Sequence, residues 1–123
     1  VIDFQDMCIA PIGIDIAGIL LDHYMSFDRS TIKKDLKYFL DHSYISLSED
    51  DLFEFFRWSG IQRNMRILGT LANLYCDEGR DFRLKDLPNI LSNLTNLIPD
   101  KHYSKSFFED KVKNKLNERL AAL

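Results

Sequence analysis

The chain is poor in cysteine: Cys8 and Cys76 are far apart and have no partner at metal-ligand spacing. That argues against a disulfide framework or a structural zinc site, and it matches cytoplasmic usage. There is no cationic surplus. Sixteen Lys and Arg stand against 19 Asp and Glu, a net charge of −3, where a nucleic-acid footprint would show as a basic excess. Long apolar runs are missing too. The stretch from Met7 past Asp15 is interrupted by Pro11, Gly13 and Gly18, which is too broken for a membrane span. No signal-peptide pattern, internal repeat or low-complexity segment stands out. Nothing resembles a Ser-His-Asp triad, a zinc site or a P-loop.

What remains is ample apolar material. Hydrophobic residues make up 46% of 123 positions, enough for one packed domain and against wholesale disorder. The residues Val1–Phe4 read as a strand stub, and the rest reads as helices. After a turn-rich link at "MCIAPIGI", a helix is expected from about Asp15 to Met25, with Ile16, Ile19, Leu20 and Tyr24 on one face. Asp28 is placed to cap a second helix over about 29–42, with Ile32, Leu36, Phe39 and Leu40 inward.

The third helix has the strongest signals. Ser48 and Asp51 approximate a capping box, and three acids load the first turn where the helix dipole favours them. Gly79 closes it after about 29 residues, roughly 43 Å of helix. Phe55, Phe56 and Trp58 read most simply as core. Gly60 and Gly69 inside it point to close approach by another backbone, or to a kink. A fourth helix is expected over about Leu84–Leu97 and a last one over about Ser104–Ala122, with Phe108, Val112, Leu116 and Leu120 inward.

An isolated strand has no ladder partner for its backbone groups. The expectation is therefore that residues 1–123 continue a domain begun upstream. The segment "VIDFQD" ends that strand with two carboxylates, a placement that suits a phosphate-bound cation. A turn-forming acid pair is the plain alternative.

"VIDFQD" followed by "APIGIDIAGILLDHY" resembles the metal-binding stretch of kinase-like phosphotransferases. There, an Asp-Phe-Gly equivalent precedes a short loop and an Asp that opens the next helix. The run "FFRWSGIQRNMRILGTLANLYCDEGRDFRLKDLP" narrows the likeness. Within the aminoglycoside-phosphotransferase-like family, it is similar to the bacterial anomeric kinases of N-acetylmuramate and N-acetylglucosamine in cell-wall recycling. The likeness is weakest after about Pro99.

The resemblance implies a mainly α fold, the C-terminal helical portion of a protein-kinase-like C-lobe. The Gly-rich loop, the strand Lys and the catalytic Asp and Asn would lie upstream, so this portion alone should be inactive. It also implies ATP as co-substrate, Mg²⁺ as cofactor and an amino sugar as acceptor, with no nucleic-acid or membrane partner.

Asp3 would hold Mg²⁺ against the nucleotide phosphates. Gln5 departs from the Gly of Asp-Phe-Gly. Asp6 would hold a water or a contact behind the metal, or is a solvated loop acid. Asp15 would accept hydrogen bonds from the catalytic-loop backbone, which is compatible with a plain N-cap. Asp22 would reach a sugar hydroxyl, or is a solvated helix acid beside His23. Gln62 and Arg63, with Arg66 on the same side, would line the substrate pocket, since a guanidinium suits the lactyl carboxylate of N-acetylmuramate. A salt bridge from these arginines to Asp6, Asp15 or Asp22 is the plainer reading. Stacking of Trp58 on a sugar ring is the functional alternative to core packing. Within the same class an aminoglycoside is the rival substrate. The rival of another class is an all-α protein-interaction module in which "DFQD" is an incidental turn.

Overall fold

The computed structural model describes residues 9–21 and 28–122. The strand stub, Asp3, Gln5, Asp6, Asp22, His23 and Tyr24 lie outside the described residues. Those that are described are mainly helical and include no strand.

Helix α1 spans Gly13–Leu20, two residues earlier than the sequence predicts. Its N-cap position is Ile12, which offers no side-chain cap, so Asp15 sits inside the first turn rather than at the cap. Asp15 still complements the positive end of the helix. Ile16 and Ala17 are buried and Leu20 is half-buried, but Ile19 is 76% exposed. The expected inward position of Ile19 is thus overturned: the short helix buries a narrow stripe centred on Ile16 and Ala17.

Helix α2, Arg29–His42, is capped as predicted. The Asp28 carboxylate accepts from the Thr31 amide at 3.0 Å and the Ser30 amide at 3.3 Å, and from both hydroxyls. These donors, Thr31 foremost, pull the Asp28 carboxyl from 3.8 down to about 2. A depressed folded-state value favours the fold above the ordinary pKa, and the benefit is lost as pH falls through about 2. Asp28→Ala is therefore expected to lower the urea midpoint at neutral pH. The gap to wild type should close as the pH approaches about 2. A gap unchanged by acid would show that the carboxylate charge plays no part.

Helix α3 spans Glu49–Glu78, 30 residues, one more than expected. Ser48 Oγ accepts from the Asp51 amide at 3.0 Å and donates to Asp51 Oδ2 at 2.7 Å. This is half a capping box, because Asp is one carbon too short for the full reciprocal arrangement. Gly79 ends the helix at φ 65°, a left-handed conformation that suits glycine, with its amide bonded to Tyr75 O at 3.0 Å. Lys37 ties α2 to the start of α3 through Glu49 at 3.0 Å, and this partner raises its pKa.

A 3₁₀ turn, Leu84–Asp86, leads into α4, Leu87–Leu97, with Pro88 in the first turn. The last predicted helix is present but not uniform. It comprises α5, Ser104–Ser106, a π-helical stretch over Phe107–Val112, and α6, Lys113–Ala121. The wider turn has a packing reason. Phe108, Val112, Leu116 and Leu120 repeat every four residues, which drifts by about 40° per step around an α-helix. Slower rotation through the π stretch helps Phe108, Val112 and Leu116 stay against the core.

The main core gathers Ile16, Ala17 and Leu21 from α1 and its end, Ile32 and Leu36 from α2, Leu52, Phe53, Phe56 and Ile61 from α3, and Leu91, Leu94 and Leu97 from α4. Leu71, Leu84, Leu87 and Ile90 form a second cluster toward the far end of α3. The intimate backbone approach is at Gly13, not at Gly60 or Gly69. A Cβ on Gly13 would lie 2.2 Å from Phe55 O and 2.4 Å from Phe55 C. Gly60 instead makes room for the side chains of Leu21 and Leu97, and Gly69 faces open space.

Candidate functional site

Where α1 begins against α3, the two helices leave a cleft of about 400 Å³. Pro11 and Ile14 form one wall. The other is a stripe of α3 in which Asp51, Phe55, Trp58, Ser59 and Gln62 recur at three- and four-residue spacing, with Glu54 beside them. The volume falls within the range of small-ligand sites, and the cleft is open to solvent.

The stripe lies beside the buried stripe of Leu52, Phe56 and Gly60. That adjacency is why Phe56 is fully buried while Phe55 and Trp58 are 44% and 47% exposed. The expectation that all three aromatics are core is overturned for Phe55 and Trp58. Each keeps a face toward the cleft.

Trp58 is steadied from the side. The His102 ring meets it edge-on with centroids 5.8 Å apart, and His102 Nδ1 is 2.7 Å from Ser104 Oγ. The turn carrying His102 is held by Lys105, which reaches Asp100 at 2.5 Å and Ile98 O at 3.4 Å. The Lys105 ammonium in turn holds the Asp100 carboxyl below its usual value.

Polar groups on the cleft come in two kinds. Gln62 is exposed and forms no hydrogen bond among the described residues, leaving an amide free to donate and accept. Asp51 and Glu54 are carboxylates engaged on one side only. Asp51 Oδ2 accepts from Ser48, and Glu54 Oε1 pairs with Arg57 at 2.6 Å. The Arg57 guanidinium lies over the Phe53 ring, 4.8 Å from its centroid, and lines a different groove with Arg29 and Asn96.

Of the residues singled out in the sequence, Gln62 and Trp58 meet in this cleft. Arg63 does not line it. Arg63 is half-buried with Nε unpartnered among the described residues, and Arg66 is exposed. Neither forms an ion pair with Asp15 among the described residues. Asp15 lines a separate apolar hollow of about 230 Å³ with Asp35, Ile16 and Phe39. Among the described residues no group of three or more His, Cys, Asp or Glu is arranged to hold a metal ion, and no helix is long and apolar enough to cross a membrane.

Phe55, Ser59, Asp51, Glu54, Pro11 and Ile14 were not singled out as site residues. The helical spacing from Asp51 to Gln62 was a usable signal, but two features hid it. The acids had a sufficient explanation in the helix dipole, and the aromatics had one in the core.

Comparison with known proteins adds a likeness of modest identity. Over 99 residues the chain is 27% identical to a protein of Neisseria meningitidis serogroup B (strain ATCC BAA-335 / MC58). That relative is named N-acetylmuramate/N-acetylglucosamine kinase. The match covers 76% of this chain and 30% of the kinase, so the chain spans under a third of the relative's length. No protein-family model matches the chain, and no solved structure matches it.

Proposed function

We propose that the chain is the C-terminal helical part of an ATP- and Mg²⁺-dependent phosphotransferase that acts on an amino sugar at its anomeric hydroxyl, and that the α1–α3 cleft takes part in acceptor binding. The phosphotransferase class rests on the likeness to a kinase, and the observation that supports the cleft as acceptor site is the pairing of two half-exposed aromatic faces with the Gln62 amide. Aromatic faces suit the C–H faces of a pyranose, and the Gln62 amide and Ser59 hydroxyl suit its hydroxyls and acetamido group. The kinase named for two amino sugars supports the same class.

Asp3 would hold the Mg²⁺, and Asp6 would hold a water or a contact behind it. Carboxylate oxygens are the hard donors that ion takes. Bound there, the ion would neutralise charge on the transferring phosphoryl group. Asp15 and Asp22 remain proposed as support of the catalytic loop and as a sugar contact. Arg63 remains proposed as a substrate-pocket residue of the longer polypeptide; it does not line the α1–α3 cleft. A cationic aminoglycoside is the second reading, favoured by Asp51 and Glu54 on the cleft.

The test is phosphoryl transfer by the longer polypeptide that carries this chain, supplied with ATP, Mg²⁺ and each candidate sugar. A sugar 1-phosphate from N-acetylglucosamine or N-acetylmuramate is expected, and none from the 123-residue chain alone. Turnover of neither sugar would overturn the reading. Trp58→Ala should raise KM about tenfold. Losing the apolar contact of one aromatic face, at about 25 cal/mol per Å², costs on the order of 1.4 kcal/mol, which is about tenfold.

A further inference from the structure

We infer that His102 is a positioning residue for acceptor binding: it holds the Trp58 indole against the α1–α3 cleft without touching the acceptor itself. This role presupposes that the cleft is the acceptor site, and it names a residue outside the cleft that sets its affinity.

Trp58 is 47% exposed. A half-exposed indole on a helix has other staggered rotamers open to it, so its face stays on the cleft only where a neighbour opposes the swing. The ring that meets it from another element is His102, with centroids 5.8 Å apart and planes at 69°. That is the edge-to-face geometry aromatic pairs favour. His102 does not line the cleft, so any effect it has on an acceptor passes through Trp58.

His102 is itself fixed. Its Nδ1 lies 2.7 Å from Ser104 Oγ and accepts from the Ser104 amide at 3.4 Å, which puts the ring proton on Nε2. The ring also packs on Tyr103, with centroids 4.5 Å apart. The His102 amide donates to Pro99 O at 2.9 Å, and the His102 carbonyl accepts from the Lys105 amide at 3.0 Å. Lys105 Nζ reaches Ile98 O at 3.4 Å, and Ile98 is buried in the main core. Contacts therefore run without a break from the core, through this turn, to the indole on the cleft. Removing the imidazole leaves the backbone bonds of the turn and frees the indole, which binding must then order again. That weakens acceptor affinity by about threefold.

The experiment uses the longer polypeptide that carries this chain. His102→Ala should raise KM for N-acetylglucosamine about threefold, with kcat and KM for ATP unchanged. His102→Phe keeps a ring against the indole and should restore KM. His102→Asn keeps an acceptor for Ser104 but no ring, and should not. In a Trp58→Ala background, His102→Ala should add nothing, so the double variant shows about tenfold rather than about thirtyfold. Trp58 is the chain's one tryptophan. Its emission, taken as the difference between each protein and its Trp58→Phe counterpart, should respond to N-acetylglucosamine. It should move to longer wavelength in the Ala and Asn variants and stay in place in the Phe variant.

Additive effects of Trp58→Ala and His102→Ala overturn the role. Rescue by Asn rather than Phe also overturns it, because the effect would then belong to the turn. So does a loss of kcat and ATP affinity in step with KM for the sugar, which marks general damage to the fold. In an enzyme that turns over the sugar, a Trp58→Ala variant with wild-type KM removes the cleft from acceptor binding, and the role of His102 with it. Turnover of neither sugar overturns the phosphotransferase reading and this role together.

Discussion

Gly13→Ala is expected to destabilise the chain by about 3 kcal/mol, lowering the melting temperature by roughly 10–15 °C at this size. A single methyl group has this reach because of what it would strike. The added Cβ would sit 2.2 Å from Phe55 O, 2.4 Å from Phe55 C and 2.7 Å from Ser59 Oγ. Two of those atoms belong to the backbone of a 30-residue helix and cannot rotate away. Helix α1 would have to lift from α3, taking Pro11 and Ile14 from the cleft and loosening the Ile16 and Ala17 contacts with the core. The Trp58 emission should shift as its cleft opens. Gly18→Ala is the matched control: the same change on the same helix, with nothing within 4 Å of the added Cβ. It should stabilise by up to about 1 kcal/mol through helix propensity alone. If the Gly13 variant melts within a couple of degrees of wild type, α1 is not docked this closely.

Asp3→Ala in the longer polypeptide should lower kcat on the order of a thousandfold. On the proposed reading, Asp3 holds the cation that neutralises the phosphoryl group, so its loss falls on the transition state rather than on sugar recognition. The Trp58 response to N-acetylglucosamine should persist in that variant, because the cleft is built from other residues. A matching loss of sugar binding would mean that Asp3 shapes the local fold. Unchanged turnover would remove it from the metal site.

Much of the helical plan was legible because its signals are local. Asp28 caps α2 through amides two and three residues away, Ser48 starts α3, and Gly79 ends it in a left-handed turn that sequence position alone anticipates. The apolar repeat of Ile32, Leu36, Phe39 and Leu40 marks one face without reference to any partner. Ile19 was misplaced for a complementary reason. Helical spacing gives the faces of a helix but not the width of the stripe that a neighbour covers, and α1 is covered narrowly. The early start of α1 was missed because Ile12 carries no capping side chain to mark it.

The candidate site divides along the same line. The resemblance, with residue chemistry, pointed to Gln62 and Trp58 and to Asp3 as the donor type a magnesium ion takes, while Asp15, expected as a cap, lies inside the first helical turn. Only tertiary contact decided which stripe of α3 would be sealed by α1 and α4 and which left open. Phe55 and Phe56 are neighbours of one kind, and the packing of a second helix buries one and leaves the other facing a cleft. Periodicity is a property of the chain; exposure is a property of what leans against it, and at Gly13 that is settled by the missing Cβ that lets the two backbones meet.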